Sequence, residues 1–162
     1  MKRINPGPGQ ESVWDYPRPP ALEKFNGHIR VEFGGIILAD SNQTYRVLET
    51  SHPPTYYVPP GDIKMEYLSE GSRSSFCEWK GMASYYHIQV GDKLESNVCW
   101  RYPKPSKRFE AIKDYIAFYP SRMDACYVND ELVKSQEGDF YGGWITSNIV
   151  GPFKGAPGTM GW

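Results

Sequence analysis

Fourteen prolines and sixteen glycines punctuate the 162 residues, which leaves little room for long uninterrupted helices. Each proline removes a backbone donor and restrains the residue before it, so regular pairing is expected to stop around the proline–aromatic stretch "HPPTYYVPPG". The segments between these breakers alternate with a period of two. In "HIRVEF" the apolar positions are Ile29, Val31 and Phe33. In "TYRVLET" they are Tyr45 and Val47, with Glu49 on the same side, and in "YYHIQV" they are Tyr86, Ile88 and Val90. Alternation of this kind marks half-buried strands. "GGIILAD", "SSFCEWKG", "MASYYHIQVG", "DKLESNVCWRY", "IAFYP" and "DACYVNDELV" read as further strands joined by short turns. Short connections favour an antiparallel meander over repeated βαβ units. One short helix is expected over 107–116, where Phe109, Ile112 and Ile116 make an apolar stripe. "GDIKMEYLSEG" suggests a helical turn carrying Ile63, Tyr67 and Leu68, with Asp62 as its N-cap. The expected fold class is all-β: a compact, mainly antiparallel domain with one short helix.

The length suits a single domain over 21–162, preceded by a proline-rich arm over 1–20. Trp14 and Tyr16 argue that the arm packs on the domain rather than trailing free. In the last 22 residues, Trp144, Ile149, Phe153 and Trp162 can anchor a glycine-rich return of the chain. A formal charge of −1 directs the molecule toward neither nucleic acid nor membrane. The longest basic feature is the short "KPSKR", so nucleic acid is not the expected partner. There is no apolar run of membrane-spanning length and no apolar signal core near the start. Three separated cysteines, Cys77, Cys99 and Cys126, match neither a disulfide framework nor a zinc knuckle. A cytoplasmic, reducing setting is the expectation.

Chemistry-bearing residues gather in three places. "ETSHPPTYYVPPGDIKM" sets Glu49 and His52 beside two proline pairs around Tyr56 and Tyr57. A carboxylate and an imidazole in a restrained turn can move a proton or orient a polar ligand. They can equally hydrogen-bond the loop itself. A charge closing an alternating strand, as Glu49 does, calls for a partner. Tyr57 can line a cleft and offer a hydroxyl. "CEWKGMASYYHI" contributes Trp79 as a stacking face and Lys80 as a positive charge for an anion, with a packing ring and a surface lysine as the alternatives. In the same segment Cys77 reads first as a buried, inert thiol and His87 as a structural strand residue. In the third, "WRYPKP", Trp100 and Tyr102 share a strand face opposite Arg101. Lys154, in the terminal "GPFKGAPGT", can approach a carboxylate or phosphate, although the segment is not a phosphate-loop motif. No metal site is expected: there is no HExxH, and the histidines and cysteines lack ligand spacing. No GxSxG elbow or dinucleotide fingerprint occurs either. The sequence names no cofactor.

"VWDYPRPP", "ADS", "LETSHPPTYYVPPGD", "CEWKGMASYY", "WRYP", "AFYPSRMDA" and "FYGGWITSNIVGPFKGAPGTMGW" together cover nearly the whole chain. As an ordered set they resemble the domain of unknown function 427 family, sometimes labelled nucleotidyltransferase-like. The resemblance implies a bent-sheet, tent-like β domain that gathers the proline–aromatic loop, Trp79–Lys80 and the terminal loops into one unit. Glu78 stands where the family's usual CPWKG-like segment has proline. The resemblance transfers no catalytic residue. The expected function is binding of a small polar or anionic molecule in one cavity approached by Glu49, Tyr57, Trp79, Lys80 and Lys154. Glu49 and His52 are the candidate proton-handling groups. The alternatives are a protein-interaction module using Trp14, Tyr16 or Tyr56, and a metal-dependent nucleotidyltransferase-like enzyme using Glu49, Asp62 and Asp40.

Overall fold

A computed structural model describes residues 2–138 and 140–162. The strands run in chain order from β1 (Glu11–Ser12) and β2 (Ala21–Phe25) to β3 (Ile29–Phe33), β4 (Ile36–Ser41), β5 (Thr44–Leu48) and β6 (Thr55–Tyr57). Three long strands follow: β7 (Leu68–Cys77), β8 (Gly81–Val90) and β9 (Lys93–Arg101). Short strands complete the chain: β10 (Ala117–Phe118), β11 (Ala125–Val128), β12 (Glu131–Leu132), β13 (Lys134–Ser135), β14 (Trp144–Ile145) and β15 (Ile149–Val150).

The strands form sheets of order β10-β9-β8-β7, β12-β11-β3-β4 and β2-β5-β6, with two-stranded pairs β13-β14 and β1-β15. All of these pairings are antiparallel except β1 with β15. Sheets meet through single bridges rather than full ladders. Val58 and Ile116 exchange two 2.8 Å backbone bonds, which carries the β2-β5-β6 sheet onto the edge strand β10. The architecture is an all-β, mainly antiparallel bent sheet.

Alternation along β6 explains why two cores exist. Tyr56 and Val58 face the larger core with Ile29, Val31, Phe33, Ile88, Ile116 and Phe118. Tyr57 faces the other way, into a second cluster with Tyr85, Trp100, Tyr102, Phe109, Ile112 and Tyr119. The same division separates Phe118 from Ala117 and Cys99 from Trp100. A strand buried on both faces reads as a continuous apolar run, as "TYYV" does. On β8 the register shifts between Tyr86 and Ile88. Consecutive Tyr85 and Tyr86 are both buried, one in each core.

The structure departs from the sequence reading at four places. Pairing does not stop at the proline-rich stretch. Thr55–Tyr57 form β6 against β5, and both proline pairs fall just outside it, where the missing donors cost no ladder bond. An additional strand, β2, precedes "HIRVEF". The expected helix is a 3-10 segment, Lys107–Ile112, with irregular backbone at Phe109; it ends before Asp114, whose φ is +62°. Asp62 caps no helix. It closes a 3-10 turn, Pro60–Asp62, and its carboxylate accepts a 2.6 Å bond from Ser41 Oγ.

The arm lies along the β5 end of the molecule. Glu11 and Ser12 pair with Ile149 and Val150, and Val13, Tyr16, Leu48 and Ile149 form a small third core against which Trp14 packs. Glu11 accepts from Arg46 Nη1 at 2.5 Å and from Tyr16 Oη at 2.7 Å. Among the described residues, no helix is long and apolar enough to cross a membrane.

Candidate functional site

The second core is roofed only in part. Above it lies a cleft of about 620 Å³, a size typical of small-molecule sites. Tyr57, Tyr85, Trp100, Tyr102 and Tyr119 form its floor, and Phe76, Trp79, Phe140 and Tyr141 its rim. Trp100 holds the floor together, with its ring 4.6 Å from Tyr119 and 6.1 Å from Tyr85. Its indole N–H donates to Tyr57 Oη at 3.4 Å. Gly142 crosses above this ring, and a β-carbon there would overlap the Trp100 edge.

Glu49, His52, Tyr57, Trp79, Lys80 and Lys154 all line this one cleft. Lys80 comes from the turn between β7 and β8 and is only 9% exposed. The turn is tied to the 104–106 segment, because Ser106 N–H donates to Lys80 O at 3.0 Å and Ser106 Oγ to Trp79 O at 2.7 Å. Gly81 makes this approach possible. Its φ is +113°, and a side chain would press on Lys104 O. The Lys80 ammonium sits 5.9 Å from the Tyr102 ring centroid. Among the described residues, no carboxylate lies within 4.0 Å of it. Burial works against the charge on this amine, but Tyr57, Cys77 and Glu49 together outweigh it and hold the pKa above its ordinary value. Lys80 is therefore a cation at neutral pH, buried and without an ion-pair partner among these residues.

Glu49 and His52, the candidate proton-handling groups, sit on the turn after β5. Ser51 has φ +72°, a conformation costly for a non-glycine residue. Several contacts hold it in place. Ser51 N–H donates to Val13 O at 3.0 Å, Thr50 Oγ1 to Tyr16 O at 2.6 Å, and Lys154 N–H to Ser51 O at 2.9 Å. His52 Nδ1 lies 3.0 Å from Thr50 O and 3.7 Å from Glu49 Oε2. A carbonyl can only accept, so Nδ1 carries the proton and Nε2 keeps its lone pair. Burial lowers the His52 pKa against the raising effect of Glu49, leaving the ring neutral at neutral pH. Arg18 of the arm steadies Glu49 at 3.5 Å while donating to Thr50 O at 2.9 Å.

Lys154 arrives from the terminal loop. Its N–H is held by Ser51 O, and its carbonyl accepts from the buried Gln136 amide at 2.6 Å. Its ammonium lies 5.8 Å from the Tyr141 ring centroid and 3.5 Å from Trp162 O. Cys77, read from sequence as a buried thiol, is half-exposed and lines the cleft. Cys99 and Cys126 are buried, and desolvation pushes both thiols up.

Other sequence candidates lie elsewhere. Asp40 pairs with His28 at 2.5 Å, and Asp62 is bonded to Ser41. These two aspartates line a separate shallow depression that lacks Glu49. Among the described residues, no three histidine, cysteine or acidic side chains converge as metal ligands. His87 is a strand residue whose Nδ1 accepts from Asn97 N–H at 3.1 Å. Tyr16 and Tyr56 are 7% and 2% exposed, so neither offers a docking surface.

Sequence reasoning passed over Tyr85, Tyr119, Gln136 and Tyr141. Tyr85 carried a usable signal, since it sits two residues from Ala83 on the face opposite Tyr86. Gln136 carried none, because only the tertiary fold brings it under Lys154. No curated protein matches the chain. A family model described as a domain of unknown function, DUF427, matches residues 21–129, which span β2 through β11 and the Trp79–Lys80 wall. With 109 of 162 residues inside that match, the chain belongs to the DUF427 family.

Proposed function

We propose that this protein binds a small anionic molecule in the cleft above the second core, with Lys80 as the anchor. The observation that carries this reading is the buried Lys80 ammonium with no carboxylate in ion-pair reach among the described residues. A buried charge is expensive unless something neutralises it, and an incoming oxyanion supplies the partner. The lining strengthens the case. Tyr57, Tyr102 and Tyr119 have pKa values raised first by burial, so their hydroxyls remain protonated donors. Lys154 adds a second cation at the rim. Trp79 and Tyr57 supply the apolar and phenolic walls.

The test is native mass spectrometry and thermal stabilisation against a panel of carboxylates and phosphate esters, with and without magnesium. Lys80→Met and Lys154→Met run in parallel. The reading expects at least one anion that stabilises the wild type and loses most of its effect in Lys80→Met. Anions that act equally on both proteins would refute it.

A second reading rests on His52. With Nδ1 committed to Thr50 O, Nε2 is an unprotonated acceptor in the same cleft, and Glu49 is placed to stabilise the charged ring. That is the arrangement of a general base, so a bound ligand could also be turned over. Any anion that binds is then assayed for product with wild type and His52→Gln. Unchanged turnover in the variant would remove His52 from the chemistry.

A further inference from the structure

The cleft is built from rings to an unusual degree. Nine of its 21 lining residues are Phe, Tyr or Trp, so a ligand that reaches Lys80 is surrounded by π-faces and ring edges. Aromatic surfaces select other aromatic rings through offset and edge-on packing, beyond what area alone supplies. The rings also differ in placement. Tyr57, Trp100 and Tyr102 are buried in the floor, with Tyr57 and Tyr102 centroids 6.3 Å apart. Phe76 and Phe140 are 71% and 62% exposed at the rim, and Trp79 is half-buried beside Lys80. Exposed phenylalanines at the mouth of a cleft gain burial when an apolar body fills it.

We infer that the ligand is a planar aromatic or heteroaromatic ring system bearing one carboxylate or phosphate, its oxyanion on Lys80 and its ring against Trp79 and the tyrosine floor. This rests on the anion-binding reading above and specifies the body attached to the anion. The polar groups agree with it. The Lys80 ammonium and the phenols offer donors along the floor, and Glu49 and His52 Nε2, with Glu78 beside Trp79, offer acceptors in the same cleft. A ring lying on the floor directs its anion to Lys80 and any N–H or O–H to Glu49 or His52. The volume of about 620 Å³ leaves room for two fused rings.

The experiment titrates the full chain with 2-naphthoate, 1-naphthyl phosphate, octanoate and inorganic phosphate by calorimetry. Wild type, Lys80→Met, Lys154→Met and Trp79→Leu are compared after circular dichroism has shown each to be folded. At least one naphthyl anion should bind about fivefold or more tightly than octanoate and inorganic phosphate. Trp79→Leu should erase that preference while retaining octanoate binding, and Lys80→Met should weaken the naphthyl anion about tenfold or more. Binding by only one of the two naphthyl anions supports the inference and identifies the oxyanion. Equal affinity for octanoate and 2-naphthoate, both sensitive to Lys80→Met, would overturn the aromatic inference and leave the anion reading standing. If none of the four binds, or naphthyl binding ignores both lysine variants, both fall.

Discussion

Lys80 carries its charge into the wall of the cleft while nearly buried. It is 9% exposed, with its ammonium 5.9 Å from the Tyr102 ring centroid and with Tyr57, Cys77 and Glu49 holding it charged against burial. Methionine matches the stem and removes the charge. Lys80→Met should change stability by less than about 1.5 kcal/mol in urea denaturation, while anion binding is lost. A larger loss of stability with anion binding intact would mark the lysine as structural. Gly81 sits at the other limit. Gly81→Ala places a methyl at φ +113° against Lys104 O and should cost about 1–3 kcal/mol by the same measurement. It should also weaken anion binding, because the displaced turn carries Lys80. The residue types at Glu49, Tyr57, Trp79, Lys80 and Lys154 could be picked out from local sequence because each put a charge or large polar ring beside a rigid turn. Gln136 could not, since its role depends wholly on which loop crosses above it.

Elements with clean alternation were legible: β3, β5, β8 and β9 fall where Ile29–Phe33, Thr44–Leu48 and the two tyrosine- and tryptophan-bearing runs predicted strands. Two kinds of element were not. β6 was hidden because proline pairs usually end pairing, yet three residues between them suffice for a strand when both faces are buried. The Lys107–Ile112 segment was read as a longer helix because Phe109, Ile112 and Ile116 are suitably spaced. The left-handed Asp114 ends any such helix, and Ile116 instead bridges to Val58. Alongside the β1–β15 pairing and the third core, a polar cluster around Glu11 fastens the arm. Burial raises the Glu11 pKa, but hydrogen bonds from Arg46 and Tyr16 outweigh it and the group is held below its ordinary value. Glu11→Gln should speed hydrogen exchange at residues 11–16 about three- to tenfold and leave β3 and β8 unchanged. Uniform acceleration across the chain would mean that the arm and the sheets open as one unit.

For the whole molecule, the two main cores lie on opposite faces of β6 and β9, and only the smaller is left open as a cleft. Which face of β6 or β9 would stay open was not readable from alternation, because both faces are apolar and the distinction comes from the chain returning through residues 140–154. The same arrangement makes stability depend on mild acid. His52 has a folded pKa below its ordinary 6.5, so the unfolded chain takes up its proton first as pH falls. Stability should therefore decline from about pH 7 toward pH 5. Glu11, with its depressed pKa, adds to the loss only below about pH 4.5. His52→Gln should flatten the curve between about pH 5 and 7 in pH-dependent denaturation. An unchanged slope would shift the effect to another group.

Occupancy of the Lys80 ammonium by an anion is the central claim, and it can be observed at the atom concerned. The protein is labelled with lysine carrying carbon-13 at Cε, and the Lys80 signal is assigned by its loss in Lys80→Met. Anions that stabilise the fold are then added one at a time. The account predicts that the Lys80 Cε resonance moves with saturation, with a smaller movement at Lys154 and none at the exposed Lys107. A stabilising anion that leaves Lys80 unmoved while shifting exposed lysines would contradict it.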